Sequence, residues 1–403
     1  MKIQTLLNDT IHPKNNQIRL EILKIIIEKG AVTHSDISKQ ISLSIPTISK
    51  IVAEMVEFGL LYECGKADNQ GSRKASLYDI NMNAGYFIGI DIQKNSLLAI
   101  LTDFSGNLLV EEKYPYFLED TEEAYSRMVS LINTFLDNLS VSRENIITMG
   151  ICMKGIVNVH TGNTYGYFAS TRQSLTERLE EKFNVKVLIE NDARAGAYGE
   201  FICGAGKSSE NAIYVNISWG LGVGIIANKE IYYGKSGYAG EYGHLPMFDN
   251  EILCHCGKKG CLETEASGSA IVRRFKSEYS KGSSTILKDK MNLDGPDLMN
   301  EILHAAKEED LLSLETIDVT GRVLGKYISG LLNIFNPDVL ILGGEVGTLG
   351  KQISLPIETG IMKHSLNFVN QDTEIRISKL RGRAAAVGVC LLARNKMLGI
   401  VRG

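Results

Sequence analysis

Glu241-Tyr242-Gly243-His244, followed by Cys254-His255-Cys256-Gly257-Lys258-Lys259-Gly260-Cys261-Leu262-Glu263, is the stretch from which the rest of the chain is read. His244, Cys254, Cys256 and Cys261 offer one imidazole and three thiolates, a set suited to tetrahedral Zn²⁺ with no open coordination position. Such a metal would fold a loop and carry no chemistry. Glycines beside the cysteines let the backbone turn tightly enough to aim three sulfurs at one point. His255 is then spare and is expected to face solvent. Glu241 and Glu263 flank the cluster, so closing the loop would hold two carboxylates at one rim, as a binder of vicinal hydroxyls needs.

The order Glu-x-Gly-His, Cys-x-Cys-Gly-x-x-Gly-Cys-Leu-Glu resembles the signature of the ROK family (repressors, open reading frames, sugar kinases), and the likeness runs from about Tyr86 to the C-terminus. The resemblance implies an α/β, two-lobed, actin/hexokinase-like (ribonuclease H-like) body with a sugar cleft. It also implies that Asn191 and Asp192, in Glu190-Asn191-Asp192-Ala193-Arg194, lie at the sugar together with Glu241, His244 and Glu263. In a kinase of this family Asp192 would be the general base. An Asn-Asp pair at a strand-to-helix junction is also a common helix cap.

At 403 residues the chain has room for two or three domains, and 44% hydrophobic with 22% charged residues is ordinary for a globular protein. No run of about 18 apolar residues marks a membrane span, and Met1 to Thr10 lack a secretory pattern. Seven cysteines form no disulfide framework; Cys64, Cys152, Cys203 and Cys390 fall in apolar or helical stretches. These features predict a cytoplasmic location. The net charge of −4 does not favour nucleic acid, and residues 1–80 hold 10 Lys+Arg against 9 Asp+Glu, so any DNA argument rests on placement.

Placement supports it. Apolar Ile18, Ile22, Ile25 and Ile26 predict a helix ending at Gly30, and Thr33 with Asp36 reads as a capping box for a second. Ser44 caps and Pro46 opens a third helix, Ile45 to Phe58. This is a helix-turn-helix, and the strands Leu60–Glu63 and Ala75–Ile80 around a basic tip with Lys66, Arg73 and Lys74 make its wing. Ser44, Thr47, Ser49, Lys50, Arg73 and Lys74 are the expected DNA contacts, and a dimer reading two half-sites the expected assembly, either a homodimer or a dimer of dimers. The winged helix resembles those of the repressor branch of the ROK family, regulators answering to xylose, N-acetylglucosamine or glucose.

From Tyr86 onward strands alternate with helices. ATP-using relatives carry Asp-x-Gly-Gly-Thr on the first hairpin, whose small residues admit phosphate to the backbone. Here Asp91 is followed by Ile92-Gln93-Lys94-Asn95, which removes those donors. Asn216-Ile217-Ser218-Trp219-Gly220-Leu221-Gly222 and Leu340-Ile341-Leu342-Gly343-Gly344 resemble the second phosphate loop and the adenosine turn. No internal repeat is visible. Three units follow: residues 1–80, the winged helix; 81–205, one lobe, with about 382–403 packing back on it; and 206–381, the other lobe with the zinc loop. The expectation is a sugar-responsive DNA-binding regulator, a repressor, that binds a sugar or sugar phosphate, lacks a competent ATP site and is not an enzyme. The alternatives are an ATP-dependent sugar kinase with an appended DNA-binding domain, and a module that engages a protein through the zinc loop.

Overall fold

The computed structural model describes residues 13–67, 75–169 and 173–401. Arg73 and Lys74 lie outside these residues.

The first helix, Pro13–Lys29, buries Ile22, Leu23, Ile25 and Ile26 on one side, on the order of 2 kcal/mol of apolar burial for each side chain. Gly30, at φ 77°, ends it. The helix His34–Ile41 starts on the expected box: Thr33 Oγ1 accepts from the Asp36 amide (3.2 Å) and Asp36 Oδ2 from the Thr33 amide (3.0 Å). The recognition helix, Ile45–Glu57, is capped by Ser44 and buries Ile48, Ile51, Val52 and Met55. Strands β1 (Val32–Thr33), β2 (Leu61–Lys66) and β3 (Ser76–Ile80) form a small sheet in the order β1-β3-β2. Two details differ from expectation. β2 continues to Lys66, whose ammonium bonds Glu63 and Ser76 and so belongs to the ladder, not to the wing tip. Cys64 on the same strand is exposed, as is Cys203.

The body holds two five-stranded sheets. The first comprises β4 (Tyr86–Ile92), β5 (Ser96–Thr102), β6 (Leu108–Pro115), β7 (Ile146–Met153) and β10 (Lys186–Asn191), in the order β10-β7-β4-β5-β6. A hairpin, β8 (Ile156–Asn158) with β9 (Asn163–Tyr165), stands apart from it. The second comprises β11 (Ala212–Ile217), β12 (Leu221–Ala227), β13 (Glu230–Ile231), β14 (Val339–Gly343) and β15 (Glu374–Ile377), in the order β13-β12-β11-β14-β15. In each sheet an antiparallel meander is extended by two parallel strands beside its first strand. The lobes therefore repeat one topology although the sequence shows no repeat.

Two helices join the lobes. The cleft helix, Asp192–Cys203, sits on the second sheet, where a Cβ added at Gly222 or Gly224 would meet Ala193 or Ala197 at 2.8 and 2.5 Å. The C-terminal helix, Ala384–Met397, sits on the first sheet, where a Cβ at Gly89 or Gly150 would meet Cys390 or Val389 at 2.7 Å. Backbone meets backbone where these helices cross, at Gly199 and Gly388. Beyond the C-terminal helix, Leu398, Ile400 and Val401 join an apolar cluster with Ile18 and Leu20 of the first helix. Asn81 Nδ2 donates to the Gly59 carbonyl (2.7 Å), tying the linker to the end of the recognition helix. Among the described residues no helix is long and apolar enough to cross a membrane.

Candidate functional site

At the start of the recognition helix Ser44, Thr47 and Lys50 are exposed and Ser49 is half-buried. Ser44 Oγ takes the Thr47 amide (3.4 Å) and lies 2.8 Å from Thr47 Oγ1, so both hydroxyls are held at the helix N-terminus. Ile45, half exposed, stands beside them. Thr47 and Lys50 stand exposed on the first two turns of this helix.

Between the lobes lies a cavity of 310 Å³ whose lining includes Asp91, Gln93, Lys154, Asp192, Asn216 and Arg381. Its floor explains the altered hairpin. Gln93 Nε2 donates to Asp91 Oδ2 (2.7 Å), and Ser96 Oγ donates to Gln93 Oε1 (2.8 Å). The carboxamide thus fills the hairpin and occupies Asp91. Lys94 does not replace the lost donors, because its ammonium turns to the Leu118 carbonyl (3.3 Å). Burial pushes the Asp91 carboxyl up to about 7, the Gln93 bond opposes this, and the Asp192 charge adds to it. Trp219 packs against the core of the second lobe.

Asn191 caps the cleft helix: Oδ1 accepts the amides of Ala193 (3.0 Å) and Arg194 (3.1 Å), while Nδ2 donates to the Gly155 carbonyl (3.1 Å) and to Asp192 Oδ1 (3.2 Å). Its carboxamide is fully engaged, which favours the capping role over direct contact with a ligand. Asp192 Oδ2 accepts from Asn216 Nδ2 (3.1 Å). Burial raises the Asp192 carboxyl, against the pull of Lys154.

The cysteine loop brings its expected residues together. His244, Cys254, Cys256 and Cys261 place their donor atoms within 4.8 Å of one another. Cys256 Sγ lies 3.7 Å from Cys261 Sγ and Cys254 Sγ 3.5 Å from His244 Nδ1, close to the ~3.8 and ~3.5 Å edges of a tetrahedron with metal–sulfur ~2.3 Å and metal–nitrogen ~2.0 Å. The chemistry and spacing of the donors fit a metal ion. His244 turns its other nitrogen, Nε2, towards Glu241 (3.8 Å). Burial raises the Glu241 carboxyl, and Arg194 opposes the shift. Glu263, buried, accepts from Cys254 Sγ (2.9 Å) and lies 2.7 Å from His255 Nδ1. Burial pushes this carboxyl up, but those two partners outweigh it and leave it below its usual range. His255 is largely exposed, as expected, yet it is not idle: its ring orients Glu263.

Lys154 has no place in the sequence analysis; Asn216 enters it only within the stretch resembling the second phosphate loop, and Arg194 only within Glu190-Asn191-Asp192-Ala193-Arg194, where its helical spacing from Glu190 is the signal for their pairing.

Comparisons with known proteins agree with this geometry. The ROK family model matches residues 87–396, and a winged helix-turn-helix DNA-binding model matches residues 15–61. The chain is 29% identical to a xylose repressor of Bacillus spizizenii over 382 residues, covering 94% of this chain and 96% of that one. It is 28% identical to the DNA-binding transcriptional dual regulator NagC of Escherichia coli, covering 94% and 93%. A crystal structure of a ROK family transcriptional regulator, a homolog of the E. coli MLC protein, superposes with a TM-score of 0.79 at 26% identity, over 95% of this chain and 97% of that one. A ROK family glucokinase from Streptomyces griseus, in complex with glucose and AMPPNP, superposes with a TM-score of 0.69 at 26% identity, over 77% of this chain and all of its own. A family model spanning both lobes, joined to a winged helix and matched nearly end to end by regulators, establishes that the chain belongs to the ROK family.

Proposed function

We propose that this protein is a sugar-responsive transcriptional regulator, a repressor, that binds operator DNA through its winged helix and senses a sugar in its interlobe cleft without phosphorylating it. The observation that carries this reading is the Gln93 bridge from Asp91 to Ser96. Phosphoryl transfer rests on positioning and on donors aimed at phosphate oxygens, and a side chain packed into the hairpin removes both. In this reading Asp192, Glu241, His244 and Glu263 meet the sugar, with Asn191 supporting them from its cap, and none of them acts as a catalyst. Thr47, Ser49, Lys50, Arg73 and Lys74 meet DNA, with Ser44 holding the helix start.

The metal is structural Zn²⁺ held by His244, Cys254, Cys256 and Cys261, and when bound it supplies charge that keeps the thiols deprotonated and the loop closed. His244 would then serve the loop by Nδ1 and the cleft by Nε2. The units run 1–80, 81–205 with the returning segment from about 382, and 206–381. The protein acts as a homodimer, because one helix-turn-helix makes few contacts and two half-sites need two copies. A sugar that changes lobe closure alters the spacing of the two recognition helices, and the operator is released.

The test pairs thermal-shift screening against D-xylose, D-glucose, N-acetyl-D-glucosamine and their phosphates with DNA selection from a random duplex library. A sugar that raises the melting temperature and releases selected DNA, with no ADP formed from Mg·ATP, is the expected result. Sustained ADP release in the presence of any of these sugars would identify a kinase and overturn the reading.

A further inference from the structure

The ion pair of Glu190 and Arg194 is absent from the roles described so far, although both side chains are almost wholly buried, at 0% and 1% exposure. Arg194 Nε donates to Glu190 Oε1 (2.7 Å). The remaining guanidinium nitrogens spread to two backbones from different lobes: Nη2 donates to the Val157 carbonyl on β8 (3.2 Å), and Nη1 to the Ala239 carbonyl (3.3 Å), two residues before Glu241. Glu190 is saturated as well, since Oε2 accepts from Tyr233 Oη (3.0 Å) and Oε1 also from the Asn191 amide (2.7 Å). The Lys396 ammonium, on the C-terminal helix, lies 5.2 Å from the Tyr233 ring centre.

A buried charge pair is a poor way to gain stability, because desolvation offsets most of its attraction. A planar, five-donor guanidinium is a good way to fix several acceptors in one geometry. We propose that Arg194, oriented by Glu190, is a positioning residue for the sugar site: it staples β8 of the first lobe to the 239–241 segment of the second, and so sets where Glu241 stands in the cleft. This rests on the reading of the cleft as a sugar site. Two further contacts cross at the same place, Asn158 Nδ2 to Tyr238 Oη (3.1 Å) and Tyr238 Oη to Tyr165 Oη (3.3 Å). Both are exposed and leave the fixed point to Arg194. A lysine, with one point charge and no fork, cannot reach both carbonyls and Glu190 at once.

The experiment compares full-length wild type, Arg194→Lys, and the double variant Glu190→Gln/Arg194→Met, which removes both charges and strands neither. Hydrogen exchange without sugar is read at residues 156–158 and 239–242. Both variants should exchange there at least about tenfold faster, with the winged helix unchanged. Calorimetric titration with D-xylose and with N-acetyl-D-glucosamine should show roughly tenfold weaker binding of whichever sugar the wild type takes, the loss of about one well-placed hydrogen bond. Wild-type exchange at both segments in the folded double variant would overturn the staple, and unchanged sugar affinity beside faster exchange would overturn the positioning role. If the wild type binds neither of the two sugars, nor D-glucose or any of the phosphates in the thermal-shift panel, the sugar reading fails while exchange still decides the staple. Should Arg194→Lys not fold, the double variant alone decides.

Discussion

Replacing Gly388 by alanine should damage this protein more than its small size suggests. The added Cβ would run into the Ala195 carbonyl oxygen and would lie 2.6 Å from its carbon and 2.8 Å from the Gly199 amide nitrogen, where ordinary contact begins at 3.4 Å. The obstructing atoms are backbone, so no side chain can rotate away, and the cleft and C-terminal helices must part by well over the ~0.8 Å that the carbonyl carbon alone would require. Overpacking of this kind costs about 1–3 kcal/mol, and the backbone on both sides puts Gly388→Ala at the upper end, near 3 kcal/mol. Gly382, with nothing within 4 Å of its added Cβ and no positive φ, is the control: its alanine variant should be neutral or gain a few tenths of a kcal/mol by stiffening the unfolded chain. Trp219, the one tryptophan, packs on the second lobe's core and reports unfolding by fluorescence in urea. A midpoint for Gly388→Ala equal to that of Gly382→Ala would refute the close helix crossing on which the lobe connection rests.

Three other outcomes follow. Elemental analysis should find one zinc per chain, lost with Cys256→Ser together with a lower melting temperature; full zinc in that variant would remove Cys256 from the ligand set. Asp91, pushed up to about 7 by burial, stays protonated in the folded state while the unfolded carboxyl ionises near 4, so stability should fall as pH rises from about 4 to about 7. Asp91→Asn should therefore gain more stability over wild type at pH 8 than at pH 5, and an equal gain at both would mean that Asp91 does not titrate in that window. Lys50→Ala should weaken binding to selected DNA and lower the slope of log affinity against log salt by about 0.9, the signature of one lost phosphate contact; an unchanged slope would place Lys50 off the backbone.

What could be read from the sequence was local. The Thr33/Asp36 box, the Ser44 cap with Pro46, the four donors from His244 to Cys261 and the loss of glycine after Asp91 each depend on residues near one another; the box and the cap form as read, the four donors cluster, and Gln93 packs onto Asp91. The duplicated topology was not legible, because strand order is set by pairings such as β11 with β14, whose residues lie far apart in the chain and share no repeated pattern. The short β8–β9 hairpin gave too few alternating residues to declare a strand. Arg194 looked like one more charge on a helix, and its use depends on carbonyls at 157 and 239 that only the fold brings near. Asn191 was ambiguous between cap and ligand until its four hydrogen bonds were in view.

The crossing at Gly199 and Gly388 also bears on how a sugar reaches DNA. The cleft helix begins at Asp192, inside the proposed sugar site, and it meets the C-terminal helix with no side chains between the two backbones. At that point there is no side chain to repack, so a shift of one helix there would be passed to the other instead of being absorbed. Asn395 Nδ2 donates to Tyr198 Oη (2.7 Å) in a buried pair that locks the same two helices a second time. The C-terminal helix then delivers Leu398, Ile400 and Val401 to the cluster that holds Ile18 and Leu20 of the first DNA-binding helix. Arg394, buried on that helix, donates to Asn395 Oδ1 (2.9 Å) and to the Ser105 carbonyl, and Phe104 in turn donates its amide to Met82 in the linker (3.1 Å). If sugar binding rotates the lobes about the helix crossing, as proposed, the base of the winged helix and the linker that leads to it would move with them. The sensor needs no separate relay segment, because the element that closes the first lobe is also the one on which the DNA-binding domain rests.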